Sequence, residues 1–508
     1  MHHTIKNKQQ HRPFFVLTLA LFVLVFGYQL LTKGIFGDSI FYSAIAQNLS
    51  NGIETPWHLT HSGHLIFGAF YGHPPLAIWM LAYFIDFTQE VFWAERLFSI
   101  FNLAFILWGI SKIWNLTHSN APPWSVWWVW LCWLSIPLNV WSFQQYMLEN
   151  TMTVFVVWSV YFGLLVSQQQ KHRFGIVLMG LFIFLATFCK GPVGLFPLVF
   201  FMLYWLVFRR ISLLKGLLFS GFILSILMLS YAFLFFVEPE SITYFEQYYQ
   251  LQLVNSISSE AIENTFQKRL SVLEWLFLEP LALWILAIFS LSIYSFKKNA
   301  LPQRSEHKKW SLLFLLLGLA GTLPIMISAK QGRFYIVPAL PFIALAIAHL
   351  TQPLLIQLLK KYSTTQGLKW LTYLGRFLLL IGIITLCARY GKYAREQLIL
   401  EDIELLITKI DRKEQVLLRT LENAYSTECY LVRMGDLSTS NYIWATTEKE
   451  EHANPTTYLL LEKELSAKPF YQYQKDTTLK TKWLDLYTLK PYYKKLKMKY
   501  LKEKSRLE

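Results

Sequence analysis

Charge is in short supply in this chain, and acid above all. Asp and Glu number 32 against 47 Lys and Arg in 508 residues, and charged residues make up 16% of the total. A soluble domain carries about a quarter charged residues, so this composition excludes an ordinary soluble protein. The surplus of base, formally +15 with a pI near 9.4, raises nucleic acid as a partner. The basic residues, however, sit in short connections between apolar runs, the distribution that membrane topology imposes, and nucleic-acid binding is set aside. Cysteine is scarcer still. Cys132, Cys189, Cys387 and Cys429 are scattered, three of them in apolar segments, with no CxxC or metal-ligand spacing. That excludes a disulfide framework and a cysteine–zinc site. No glycine-rich phosphate loop is present, so no soluble nucleotide is expected.

What the chain has is apolar length. Hydrophobic residues are 54% and aromatic residues 17% of the sequence, the mean hydropathy is +0.35, and apolar runs of roughly 17–25 residues recur, each long enough to cross a bilayer. Candidate spans lie near 14–32, 93–112, 124–142, 149–166, 174–189, 191–208, 213–237, 273–296, 310–328, 333–350 and 370–388. Residues 1–13 read as a cytoplasmic N-terminus, and Phe14–Leu31 as an uncleaved first span, because no small-x-small cleavage site follows it. Pro75–Phe87 is apolar but short, which suits an interfacial or re-entrant helix. If it does not cross, the connections carrying Lys112, Lys171/Arg173, Arg209/Arg210/Lys215, Lys297/Lys298/Arg304/Lys308/Lys309 and Lys360/Lys361/Lys369 all fall on the cytoplasmic side. This predicts an all-α polytopic membrane protein of about eleven spans over residues 14–388. The 33–92 loop, the 238–272 loop and everything after residue 388 then lie outside the cytoplasm. No internal repeat of fixed period is found, which counts against a transporter built from repeated halves.

Beyond residue 388 charge rises and long apolar runs stop. Ala394–Ile410 has helical periodicity, and Gln415–Leu418, Cys429–Val432, Thr457–Leu461 and Trp483–Leu489 read as strands between turn residues. Residues 389–508 are expected to form a small soluble α/β domain, ending in a basic tail from Lys494 to Arg506 that meets anionic headgroups or is simply solvated.

Ionisable residues near membrane depth are costly and need a reason. Asp38 opens a helical stretch that ends at Asn51-Gly52, where it serves either as a helix N-cap or as a functional carboxylate. Glu149 begins the fourth span on the same side, a favourable place for negative charge in any case. Lys190, in Cys189-Lys190-Gly191-Pro192, runs against positive-inside expectation and calls for an anionic partner. Arg333 and Tyr335 stand at the mouth of another span, close to Lys330, and Glu95-Arg96 begin the second, where an ion pair of purely structural purpose is an equal reading. Carboxylates and cations gathered on one membrane face suit a phosphate-linked substrate. The cations would hold an anionic leaving group, and a carboxylate would take a proton from the nucleophile.

These residues resemble a known family, the GT-C glycosyltransferases that use polyprenyl-phosphate sugars, in particular the aminoarabinose transferases acting on lipid A and the dolichyl-phosphate-mannose protein mannosyltransferases. The likeness rests on Asp38, Tyr42, Ala44, Ala46, Gly52 and His73-Pro74-Pro75-Leu76 in the first outer loop, then on Arg96, Glu149, Lys190-Gly191-Pro192 and Arg333-x-Tyr335-x-x-Pro338-x-x-Pro341, in that order over residues 10–390. The resemblance implies a GT-C fold with juxtamembrane helices in the first outer loop. It also implies a multi-pass enzyme of the bacterial inner membrane with its active site and C-terminal domain extracytoplasmic. That enzyme would transfer a sugar from polyprenyl (undecaprenyl) phosphate to lipid A, another glycan or a protein, with inversion. Asp38 would be the base, Glu149 would position it or the acceptor, and Lys190 and Arg333, with Arg96, would hold the phosphate. Tyr42, His73 and Tyr335 complete the implied substrate-binding set. The aromatic loop with Tyr244, Phe245, Tyr248, Tyr249 and Lys268-Arg269 resembles the family's loop over the lipid donor. The chain departs from the family at Ser39 and Gly72-His73, where an acid and a lysine are usual. No metal ligand is therefore assigned and a divalent cation is left open, as is the sugar. A lipid-linked saccharide flippase, or an accessory subunit with a degenerate site, is the competing reading.

Overall fold

The computed structural model describes residues 2–61, 69–118, 125–168, 172–257, 265–296, 304–328, 330–362, 364–412, 414–421, 424–440, 456–465 and 470–504. Lys171, Lys297, Lys298, the side chain of Lys268 and the end of the basic tail at Arg506 lie outside what is described.

In chain order the elements are α1 (His2–Leu30), α2 (Gly37–Ser50), α3 (Leu76–Thr88), α4 (Val91–Thr117), α5 (Val126–Leu134), α6 (Pro137–Gln144), α7 (Leu148–Ser167) and α8 (His172–Lys190). A 3-10 segment, Gly191–Val199, leads into α9 (Phe200–Phe208), α10 (Leu213–Val237) and α11 (Glu240–Tyr248). After a π-helical turn come α12 (Asn255–Ile257), α13 (Thr265–Leu278), α14 (Leu281–Phe296) and α15 (Arg304–Thr322). The 3-10 segments Leu323–Ile327 and Arg333–Ala339 precede α16 (Leu340–Tyr362) and α17 (Thr365–Arg389). The C-terminal part holds α18 (Gln397–Leu406), β1 (Gln415–Arg419), α19 (Ala424–Gly435), β2 (Ser438–Ser440), β3 (Tyr458–Glu462), β4 (Tyr473–Lys475), β5 (Leu484–Leu489) and a last helix, Pro491–Lys504.

The chain divides into two compact units. One comprises Met1–Leu31, Tyr71–Ala77 and Arg96–Tyr390; the other comprises Thr32–Phe70, Ile78–Glu95 and Gly391–Glu508.

The first unit is a bundle of apolar helices. Among the described residues eight helical segments are long and apolar enough to cross a membrane, and two bent pairs, α5–α6 at 77° and α13–α14 at 62°, bring this to ten if each pair is one crossing. Pro137 at the start of α6 accounts for the first bend, since a proline at a helix's first position has no N–H with which to continue the helix before it. The 35-residue segment Phe174–Phe208 doubles back on itself near its middle. Gly191 turns the chain with φ +73°, and a Cβ on Gly194 would stand 2.7 Å from the main chain of Ala186, so the 3-10 segment folds back on the end of α8. Met179 of α8 and Phe200 of α9 both border Gly163 of α7. The chain is a multi-pass membrane protein. Helix α10 is apolar on every side and largely uncovered by protein, with Phe236 84% exposed, as a lipid-facing helix must be. Helix α3, with 13 residues, is about 20 Å long, short of a full crossing.

The second unit carries α2, most of α3 and a five-stranded mixed sheet of order β2-β1-β3-β5-β4. β1 runs parallel to β2 and β3, and β5 runs antiparallel to β3 and β4. Leu417, Leu459, Leu461, Tyr473 and Leu489 form a core on the sheet. The buried carboxylate of Asp402 accepts from the amides of Lys482, Trp483 and Leu484 at 2.6–2.7 Å and so fixes the start of β5. One expectation is corrected here. Cys429–Val432, read as a strand, lies within helix α19. Those four residues are all buried, and a short run buried on every side has no period by which strand and helix can be told apart.

Candidate active site

Antiparallel packing of α7 and α8, neighbours joined by a short connection, brings the start of one to the end of the other. Glu149, in the first turn of α7, therefore meets Lys190, the last residue of α8, and the two form an ion pair. Their side chains are 0% and 4% exposed. Gly191 then reverses the chain, and the Arg333–Ala339 segment brings two aromatic faces to the same ammonium. Lys190 Nζ stands 4.7 Å from the Tyr335 ring centre and 5.2 Å from that of Phe334. A carboxylate and two π faces hold the ammonium in one place.

This cluster lines the polar end of a cavity of about 710 Å³, a volume within the range of small-molecule sites. His73, Glu149, Lys190, Lys330, Tyr248 and Tyr335 contribute its polar surface. Met152, Leu195, Phe196, Val199, Leu253, Gly321 and Ile325 contribute an apolar wall. His73 is held there by α11: the Tyr244 hydroxyl donates to the His73 carbonyl at 2.8 Å, and Tyr244 meets Tyr71 edge to face. Burial first, then the Lys190 and Lys330 ammoniums, pushes the His73 imidazole well below its ordinary range. With His73 neutral, two ammoniums face one carboxylate and the lining carries net positive charge. Such a cavity can take an anionic head at one end and an apolar tail along its wall.

The other residues singled out in the sequence are distributed as follows. Tyr335 and His73 line the cavity with Glu149 and Lys190, whereas Arg333 does not. Arg333 pairs with Glu279 at 3.5 Å and lies over the Trp141 ring. Arg96 is buried against the Tyr146 ring, 5.2 Å from its centre. Asp38 and Tyr42 belong to α2 in the second unit. Asp38 is half-buried inside the first turn, and the N-cap is Phe36 with no side-chain cap, so the capping reading of Asp38 is corrected. Tyr42 is buried, edge-on to Phe41 and Phe70. In the same unit Glu95 receives two hydrogen bonds from the Arg433 guanidinium, at 2.5 and 2.6 Å. Tyr248, expected in the loop over the lipid donor, lines the cavity, and Lys330 joins it there, while Glu279 is the partner of Arg333. Lys330 carries the same signal as Lys190, a cation on the wrong side for the positive-inside rule.

No protein-family model matches the chain, and no curated protein does. Solved structures do. ArnT from Cupriavidus metallidurans bound to undecaprenyl phosphate aligns over 94% of this chain and 98% of its own, with a TM-score of 0.64 at 13% identity. The apo form of that protein aligns over the same shares with a TM-score of 0.63. The chain has the GT-C fold. At 13% identity the likeness shows the GT-C architecture.

Proposed function

We propose that the chain is a membrane glycosyltransferase that takes a sugar from a polyprenyl phosphate, undecaprenyl phosphate most simply, and passes it to an extracytoplasmic acceptor: lipid A, another glycan or a protein. The observation that carries this reading is the Lys190–Glu149 pair at the polar end of an otherwise apolar cavity. A phosphate head and a prenyl tail are the ligand that such a lining fits, and the structural neighbour binds undecaprenyl phosphate. In this reading Lys190, with Lys330 and the neutral His73, receives the phosphate. Glu149 positions Lys190. Asp38, assigned from its place in the sequence motif, accepts the acceptor's hydroxyl proton. The acceptor oxygen bonds to the anomeric carbon as the bond from that carbon to the phosphate oxygen breaks, polyprenyl phosphate leaves, and the configuration inverts. The site then faces the outer side of a bacterial inner membrane.

The test is transfer by the purified, reconstituted chain from a panel of radiolabelled undecaprenyl-phosphate sugars. Label should move from lipid to acceptor with the wild type and not with Asp38→Asn. Donors bound but never cleaved by the wild type would favour a flippase or accessory subunit.

A further inference from the structure

A second cluster of chemistry-bearing side chains stands apart from the cavity, within the first unit. His118 follows the end of α4, His307 lies in the first turn of α15, and His349 lies in the middle of α16. One ring nitrogen from each falls within 4.8 Å of the others. His118 and His349 are buried and His307 is partly so.

The hydrogen bonds around them decide which nitrogens carry lone pairs. His118 Nδ1 donates to the Trp114 carbonyl at 3.2 Å. The Thr117 hydroxyl gives its own proton to the main-chain carbonyls of Ile113 and Trp114 and so accepts from His349 Nε2 at 3.0 Å. Each arrangement turns the other ring nitrogen, His118 Nε2 and His349 Nδ1, into an acceptor. Those two atoms and His307 Nδ1 are buried with no hydrogen-bond partner. Buried polar atoms are normally satisfied, and three orphaned acceptors on converging rings need an explanation. A histidine that anchors one ring N–H on a carbonyl or hydroxyl and aims the other nitrogen elsewhere is the arrangement of a metal ligand. Gln352, one turn beyond His349 and buried, sets its amide beside His118, where its oxygen can join the ring nitrogens.

We propose that His118, His307 and His349 bind a divalent transition-metal ion of the zinc class, with the Gln352 oxygen or a water as fourth ligand. An all-imidazole set suits zinc and its neighbours and disfavours magnesium or calcium. Tetrahedral geometry with bonds of about 2.0–2.1 Å puts ligand nitrogens roughly 3.3 Å apart, so the rings close by an ångström or so and the stacked pair His118–His349 splays. The ion would staple the ends of α4 and α15 to α16. On the positive-inside assignment this is the cytoplasmic end of the bundle. α15 and the segment leading into α16 carry cavity residues at their other ends, Gly321 and Tyr335 among them, so the staple would brace the cavity from a distance.

The experiment uses the full chain in detergent, stripped with chelator, loaded with zinc or cobalt(II) and desalted. The wild type should retain one zinc per chain, melt several degrees higher with zinc than without, and give with cobalt the strong visible absorption of a tetrahedral site. His307→Ala, chosen because this residue is the least buried of the three, should lose all three signatures and melt like the metal-free wild type. His2→Ala/His3→Ala should keep them. Absence of zinc and of the tetrahedral cobalt spectrum in the wild type would overturn the proposal without recourse to any variant. So would equal retention by His307→Ala and His349→Gln.

Discussion

Glu149 and Lys190 face one another as an ion pair on the cavity wall, with 0% and 4% of their side chains exposed. Such a pair is held by mutual need: remove one member and the other is a bare buried charge. Glu149→Gln should therefore cost about 3–5 kcal/mol, and so should Lys190→Met. The double variant Glu149→Gln/Lys190→Met should cost much less than the sum. Thermal unfolding of the four proteins in one detergent checks this, and additive losses would mean that the two residues do not depend on each other.

Gly191 is constrained twice, by its φ of +73° and by the Tyr248 hydroxyl, 2.0 Å from where a Cβ would be. Gly191→Ala should destabilise the chain by about 1–2 kcal/mol from the left-handed backbone alone, with the clash added. Tyr248→Phe in the same chain should recover the part due to the hydroxyl. Melting curves of the single and double variants separate the two contributions. No recovery would place the whole cost in the backbone.

His73 makes a prediction about pH. Its folded-state pKa lies well below the ordinary 6.5 because of burial and the two ammoniums. Below about pH 6.5 the unfolded chain binds a proton that the folded chain refuses, so stability falls as pH drops from there and is complete above it. His73→Gln should flatten that slope between pH 7 and pH 5. A slope unchanged by the substitution would assign the acid sensitivity to other groups.

In the second unit, Arg433 and Glu95 form a two-pronged pair with side chains 6% and 0% exposed. Arg433→Met should cost about 3–5 kcal/mol. Arg433→Lys should recover only part, because one ammonium cannot reproduce the guanidinium fork. Urea titrations followed by tryptophan fluorescence would show the order wild type, Lys, Met.

Much of this architecture was legible in the residues, for reasons that differ by element. The spans were, because some twenty consecutive apolar residues leave few alternatives. The reversal after Lys190 was, because Gly191-Pro192 can only end a helix. Sidedness put Glu149 and Lys190 on one face, but their direct contact depends on how α7 lies along α8. The pairing of Glu95 with Arg433 joins residues distant in sequence, and no local pattern announces it. The helix through Cys429–Val432 was hidden by burial on all sides. His118, His307 and His349 sit in three separate segments, and only the folded helices bring them together. The place of Lys330 on the cavity wall follows from the two 3-10 segments around it, which no local pattern in the sequence announces.

The central claim is that the cavity around Lys190 seats the phosphate of a polyprenyl lipid, and binding of undecaprenyl phosphate to the purified chain tests it most directly. The wild type should bind it, Lys190→Met should bind at least tenfold more weakly, and Glu149→Gln should fall between them if folded. The dephosphorylated undecaprenol should bind weakly and equally to all three. Equal affinity of wild type and Lys190→Met for undecaprenyl phosphate would contradict the account.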